Sequence, residues 1–284
     1  MSSSTVRKQT VKKDATKKKL IVFSALVIAL LLATIFAKYI CPYDPNAQDF
    51  ASALKPPSLA HPMGTDRYGR DMLSRVIIGS QTSISATLAL VAIICIAGTL
   101  IGVICGYAGG AVDAVVMRIS DVCLAFPGLV FALAIAAVLN GGVQNAVIAL
   151  AAISWPKYSR IARSQTLAVK NTDYMAAAKL SGSNSFHIVM RHVLPNIIGP
   201  ILVTAMLDIG TMMMEIAALS FLGLGAKPPV AEWGSMMSGG RSMLQTYPWV
   251  VLSPGLAIFI SVVLFNLLGD TLRDYMDPRN ARRA

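Results

Sequence analysis

The fold class predicted for this chain is an all-α integral membrane protein of about six transmembrane helices. Three observations predict it. Of its 284 residues, 55% are hydrophobic and only 14% are charged, with a mean hydropathy of +0.62, whereas a soluble domain is typically about 25% charged. Several apolar runs reach the roughly 20 residues that a helix needs to cross the hydrocarbon core. The excess of positive charge, +11 overall, is placed between those runs. There it sets membrane orientation rather than a nucleic-acid footprint.

The first run, residues 20–40, LIVFSALVIALLLATIFAKYI, follows seven basic residues within a tail at 1–19. Its apolar part is longer than a signal peptide's and lacks an A-x-A site, so it reads as an uncleaved anchor. A polar extracytoplasmic segment follows at 41–76. The transmembrane core at 77–270 holds five further spans, about 77–105, 124–140, 143–162, 196–222 and 248–269. A short tail at 271–284 closes the chain. Six spans put both termini on one side. The pieces so assigned to the cytoplasm hold 18 Lys and Arg, and those outside hold six. That bias points to a multi-pass membrane protein with cytoplasmic termini.

Between spans four and five, in a cytoplasmic stretch at about 163–195, stands DYMAAAKLSGSNSFHIVMRHVLPN, residues 173–196. Thr172 or Asp173 is a helix N-cap, Tyr174 to Ser181 favours helix, and Gly182 suits the left-handed position that ends one. Ser183 or Asn184 caps a second helix from Ser185 to Leu194. Pro195 either stops it or opens span five. Two short helices at an angle result, with Tyr174, Met175, Phe186 and Met190 as apolar contact points. Such a design is suited to docking, although a hairpin lying on lipid shares the pattern.

Ala176-Ala177-Ala178, Gly182 and Leu194-Pro195 resemble the E-A-A, three residues, G, then L-P pattern of ABC importer permeases, whose loop holds the coupling helix. The usual glutamate position is Ala176, and Asp173 or Lys179 stands nearby as a substitute charge. HPMGTDRYGRDMLSR at 61–75 resembles the segment after the first span in the dipeptide, oligopeptide and nickel branch. LSFLGLGAKPPVAEWG at 219–234 and the stretch 255–278 match the same branch, in its second, C-type subunit. The resemblance implies a type I importer architecture. It also implies coupling through Asp173, Tyr174, Ala176, Ala177, Ala178, Lys179, Gly182 and Pro195. The implied partners are a homologous second permease, two ABC ATPase subunits that carry ATP and Mg, an extracytoplasmic solute-binding protein, and membrane lipid. No nucleic acid is expected, and no cofactor on this chain itself.

No G-x-x-x-x-G-K-[ST] loop cradles phosphate here, so Ser238-Gly239-Gly240-Arg241 reads as a flexible outer turn rather than as part of an ATPase signature. His61, His187 and His192 do not cluster, and His187 and His192 are five apart, out of register on an α-helix. The four cysteines indicate neither a disulfide framework nor a zinc site. No catalytic or metal-ligating set is predicted.

Charged residues inside spans face a cavity or a partner. Asp208 and Glu215, seven apart and near Met212, form a candidate stripe along the translocation path. Either carboxylate equally suits a pairing with the partner subunit. Arg118 and Asp121 suit a local i, i+3 pair. In the 61–75 segment Gly64 and Gly69 permit tight turns, and Thr65 and Asp66 can cap the next helix. Together with Arg70 and Asp71 these form either a self-satisfied fold or a contact for the binding protein. Trp233 and Trp249 read as interfacial anchors.

The expected function is the permease subunit of an ATP-driven importer, half of a pathway for di- and oligopeptides or for nickel and metal chelates. Residues 207–214, LDIGTMMM, resemble the nickel members. The rival from another class is a self-contained secondary transporter or channel, which explains the spans and carboxylates but not the docking helices.

Overall fold

The computed structural model describes residues 3–276, with the side chains of 16–276 except that of Lys179. The basic positions Arg7 to Lys13 and the tail beyond Met276 therefore lie outside the described side chains. Helix α1 is Ser3–Ile35, longer than the expected span because it takes in the basic tail, and α2 is Ala37–Ile40. Helix α3, Met72–Ala108, is the 37-residue second span and begins four residues before the expected end of the polar segment. Then come α4 (Gly110–Ala125), α5 (Gly128–Val138) and α6 (Val143–Lys170). The loop elements are α7 (Asp173–Leu180) and α8 (Ser185–Ile188). Helices α9 (Leu194–Leu219), α10 (Trp233–Gly240) and α11 (Trp249–Met276) complete the chain.

Among the described residues four helices are long and apolar enough to cross a membrane. They contain the first, second, fifth and sixth expected spans. The third is not one straight helix: α4 and α5 meet at 93°. The cause is local. Pro127 disfavours the α-conformation for the residue before it, and Phe126 is extended, with φ −99° and ψ 149°. Helix α6 occupies the fourth position, but Lys157, Arg160 and Arg163 lower its hydropathy. It continues to Lys170 rather than giving way to a loop at 163.

Helix α6 packs chiefly on α3, and α9 chiefly on α11. The α3–α6 seam depends on Gly98, Gly102 and Gly106. A Cβ at Gly102 would lie 2.2 Å from the Ser159 carbonyl oxygen, and one at Gly98 would lie 2.5 Å from that of Trp155. Small residues at four-residue spacing let helix backbones approach where lipid offers no hydrophobic drive between them. Leu90, Ile94, Leu150, Ile153, Ile201 and Ile216 fill the core around this seam.

Candidate functional site

The stretch 171–193 leaves the helices as predicted at its centre and differs at its end. Helix α7 stops at Leu180, and Gly182 follows with φ +82° and open space where a side chain would stand. Asn184 Oδ1 accepts from the His187 amide at 2.7 Å, so Asn184 is the cap of α8. At the other end, Thr172 offers its backbone carbonyl to Met175 and Ala176, while its hydroxyl turns back to Val169. The second helix, however, is not a separate element. A π-turn, Val189–Val193, joins α8 to α9, and Pro195 sits in the first turn of α9, directly after it. The rod Ser185–Leu224 is 40 residues long.

The π-turn corrects the histidine expectation. Its i→i+5 spacing brings into register two residues that an α-helix would keep apart. The His187 and His192 rings lie 6.5 Å apart, and Tyr174 approaches His192 at 6.3 Å. Asn196 Nδ2 donates to the His192 carbonyl at 2.6 Å and lies 3.4 Å from Tyr174 Oη.

Of the apolar contact points, Tyr174, Phe186 and Met190 are exposed, Phe186 at 75%, and Leu180 joins them at 90%. Met175 does not belong with them, being wholly buried. It faces inward from a helix whose outer face carries Asp173, Tyr174, Ala176 and Ala177, all exposed, with Ala178 half-buried beside them. Lys179 has no described side chain.

The carboxylate stripe is split. Asp208 is 3% exposed, and Lys157 of α6 forms an ion pair with its Oδ1, whereas Oδ2 has no hydrogen-bond partner among the described residues. The cation that answers Asp208 is thus in this chain, 51 residues away. A lysine in an otherwise apolar span was the signal for it. Glu215 is half-buried on the same side of α9. Met212 is packed into the core at 6% exposure and does not accompany them onto an open face.

The acids of α4 are also answered by α6. Arg163 Nε and Nη2 reach the two oxygens of Asp113. Arg160 pairs with Asp121, which leaves the expected Arg118 contact at 3.9 Å as a minor one.

The 61–75 segment is self-satisfied. Asp66 Oδ1 accepts from the amides of Tyr68 at 2.8 Å and Arg70 at 3.0 Å, and Arg70 Nε and Nη2 both reach Oδ2 at 2.7 Å. It is Asp71, not Thr65 or Asp66, that caps α3, by accepting from the Ser74 amide and hydroxyl at 2.7 Å each. His61 Nδ1 sits 2.9 Å from the other Asp71 oxygen. The Thr65 hydroxyl donates to the Ser52 carbonyl at 2.6 Å and accepts from the Lys55 amide at 2.8 Å. Gly64 and Gly69 have φ of +71° and +73°, and a Cβ on Gly69 would fall 1.7 Å from the Asp49 carbonyl oxygen. Nearby, the Ser52 hydroxyl donates to Asp49 and holds its carboxyl below the usual range.

The cap of α10 was not read from the sequence, and Trp233 was read in another role. Glu232 is 1% exposed and caps α10, accepting from the amides of Gly234 and Ser235 at 2.8 Å each. Trp233 is a buried core residue, not an interfacial anchor, and donates to the Val76 carbonyl at 2.9 Å. Trp249 is half-buried and donates to the Thr65 carbonyl at 3.2 Å. Ser238, Gly239 and Gly240 are helical in α10, not a flexible turn, and Arg241 begins a 3-10 turn.

Comparison with known proteins follows the same outline. Residues 98–282 match the family described as binding-protein-dependent transport system inner membrane component. Residues 13–57 match the N-terminal transmembrane domain of oligopeptide transport permease C. The chain is 45% identical to a probable D,D-dipeptide transport system permease protein, DdpC, of Escherichia coli K12, over 92% of this chain and 88% of that one. It is 42% identical to a glutathione transport system permease protein, GsiD, of Pectobacterium atrosepticum, over 91% and 86%. It is 39% identical to a dipeptide transport system permease protein, DppC, of Alkalihalophilus pseudofirmus, over 94% and 88%. Among solved structures, a chain of the inward-facing MetNI methionine ABC transporter shares the fold at a TM-score of 0.58 and 17% identity. That match covers 72% of this chain and 98% of the other.

Proposed function

The chain belongs to the family of binding-protein-dependent transport system inner membrane components, as a permease subunit of the peptide branch of ABC importers, and we propose that it forms half of a translocation path for short peptides. A homologous permease completes that path. Two separate ATPase subunits bind and hydrolyse ATP with Mg, and a solute-binding protein delivers cargo to the outer face. The observation that carries this reading is the loop. Tyr174, Leu180, Phe186 and Met190 stand exposed beside a left-handed glycine, on the side where the basic residues concentrate. An apolar cluster held out by rigid helices is suited to burial against another protein. ATP-driven closure of the ATPases then reaches the spans through α7 and α8. The chain itself makes and breaks no covalent bond.

The peptide assignment draws support from relatives whose names specify D,D-dipeptides, glutathione and dipeptides. The test is reconstitution of both permeases, both ATPases and the binding protein in vesicles. Dipeptide uptake that requires ATP and stops when an ATPase is omitted supports the reading. Uptake driven by an ion gradient without the ATPases overturns it in favour of a secondary transporter. Uptake of nickel in preference to peptide overturns the cargo. Orientation is checked with cysteines at Ser183 and Ser58 in a chain whose native cysteines are replaced. Ser183 should react with an impermeant thiol reagent from the cytoplasmic side and Ser58 from outside, and the reverse pattern overturns the topology.

A further inference from the structure

We propose that Lys157 is a positioning residue for coupling: its ion pair with Asp208 is the cross-bar that makes α6 and α9 move together when the loop between them is pushed. The proposal rests on the reading that this loop docks an ATPase.

Helices α6 and α9 are the two helices that flank the loop. Helix α6 packs chiefly on α3 and α9 chiefly on α11, and the two also pack on each other. A push on α7 and α8 therefore has two ways to act. It moves both helices together, or it is lost as they slide or splay along that contact. The Lys157–Asp208 pair is an ion pair that ties one to the other there. Its place is well suited to the task. Lys157 stands 13 residues before the end of α6, and Asp208 stands 14 residues after the start of α9. At about 1.5 Å per residue both arms are roughly 20 Å long. Beyond that point α8 runs on into α9 through the π-turn, so loop, arms and cross-bar close a frame whose α9 side is the longer.

The pair is also lopsided. The Asp208 side chain is 4% exposed and that of Lys157 is 53% exposed. Asp208 is held by packing, with Oδ2 buried and unpartnered among the described residues, so α9 presents a fixed charge. Lys157 brings a flexible four-carbon stem to it, long enough to keep contact while the helices slide. A rigid anchor with a pliant partner transmits motion without demanding one geometry. The other cations of α6 do a different task, since Arg160 and Arg163 fasten α4 to the same helix.

The experiment uses the whole reconstituted importer with a dipeptide, and reads peptide molecules taken up per ATP hydrolysed. K157Q and the double variant K157M/D208N are compared with K157R. K157Q leaves a buried carboxylate uncompensated and lowers complex yield. The double variant leaves no stranded charge, so assembly is retained. The expected result is that the double variant binds its ATPases normally and hydrolyses ATP, while uptake per ATP falls several-fold. K157R, which keeps the cation, restores the ratio. A normal ratio in the double variant overturns the proposal, and so does its failure to assemble, because the pair would then serve folding alone. Co-purification of the ATPases separates this from the parent reading. If the unaltered complex never retains its ATPases through the loop, the docking assignment has failed, whatever the pair does.

Discussion

Two loops of this molecule lie at opposite ends of the spans and follow opposite rules. The segment 42–75 consumes its polar groups internally: Asp66, Asp71 and Thr65 are all buried, and each makes at least two hydrogen bonds or ion pairs. The stretch 171–193 does the reverse. It holds its backbone with a single cap and a glycine and leaves Leu180 and Phe186 in the open. A segment whose polar groups are answered internally is built to keep its own shape. One that leaves large apolar side chains out is completed by whatever covers them. The difference lies in how the polar groups are answered rather than in apolar exposure alone, since Phe50 and Leu59 of the first segment are exposed as well.

The contrast is sharpest at two left-handed glycines, Gly69 and Gly182. Gly69→Ala should have the largest effect on the chain. Its Cβ meets backbone, the Asp49 carbonyl at 1.7 Å, and adds the left-handed penalty. Together these come to on the order of 5 kcal/mol, and the purified yield of folded chain should collapse. Asp66→Asn comes next at about 3 kcal/mol. It leaves the half-buried Arg70, and the buried Arg75 close by, without that carboxylate, and should lower the melting temperature of the detergent-solubilised protein by several degrees. Gly182→Ala should cost only about 1 kcal/mol, because nothing lies within 4 Å and only the left-handed φ resists. Equal losses from the two glycine substitutions would break the contrast between a closed segment and an open one.

What was legible in the sequence was local. The left-handed turn at Gly182, the cap at Asn184 and the tight turns at Gly64 and Gly69 each follow from residue types within a few positions. The apolar runs announced the spans for the same reason. What was hidden depends on distance along the chain. Lys157 finds Asp208 across 51 residues, and Ser83 reaches Glu232 across 149. No spacing rule connects them. The bend at Phe126–Pro127 was only half legible, since a proline disfavours helix before it, yet Pro156, Pro200 and Pro254 all stand inside long helices. The π-turn was not. One extra residue per turn has no side-chain signature, yet it brings His187 and His192 together and turns an expected second helix into the first turns of α9.

The smallest effect on the chain should be the largest on the assembly. Phe186 is 75% exposed, so Phe186→Ala removes few contacts and opens no cavity. The chain's own stability should shift by no more than about 0.5 kcal/mol, and its melting curve should superimpose on that of the unaltered protein. If the loop docks an ATPase, the ring is buried only in the complex. Covering a phenylalanine is worth roughly 1.5–3 kcal/mol, and each 1.4 kcal/mol is about a factor of ten in affinity. The expected result is therefore an ATPase Kd weakened about tenfold or more, measured on a permease pair that melts normally. A Tyr174→Ala change on the facing helix should behave alike, though its Asn196 contact is lost as well. An unchanged Kd from both variants would mean that the exposed face lies on lipid, and the two loops would then differ in what covers them rather than in whether they are finished.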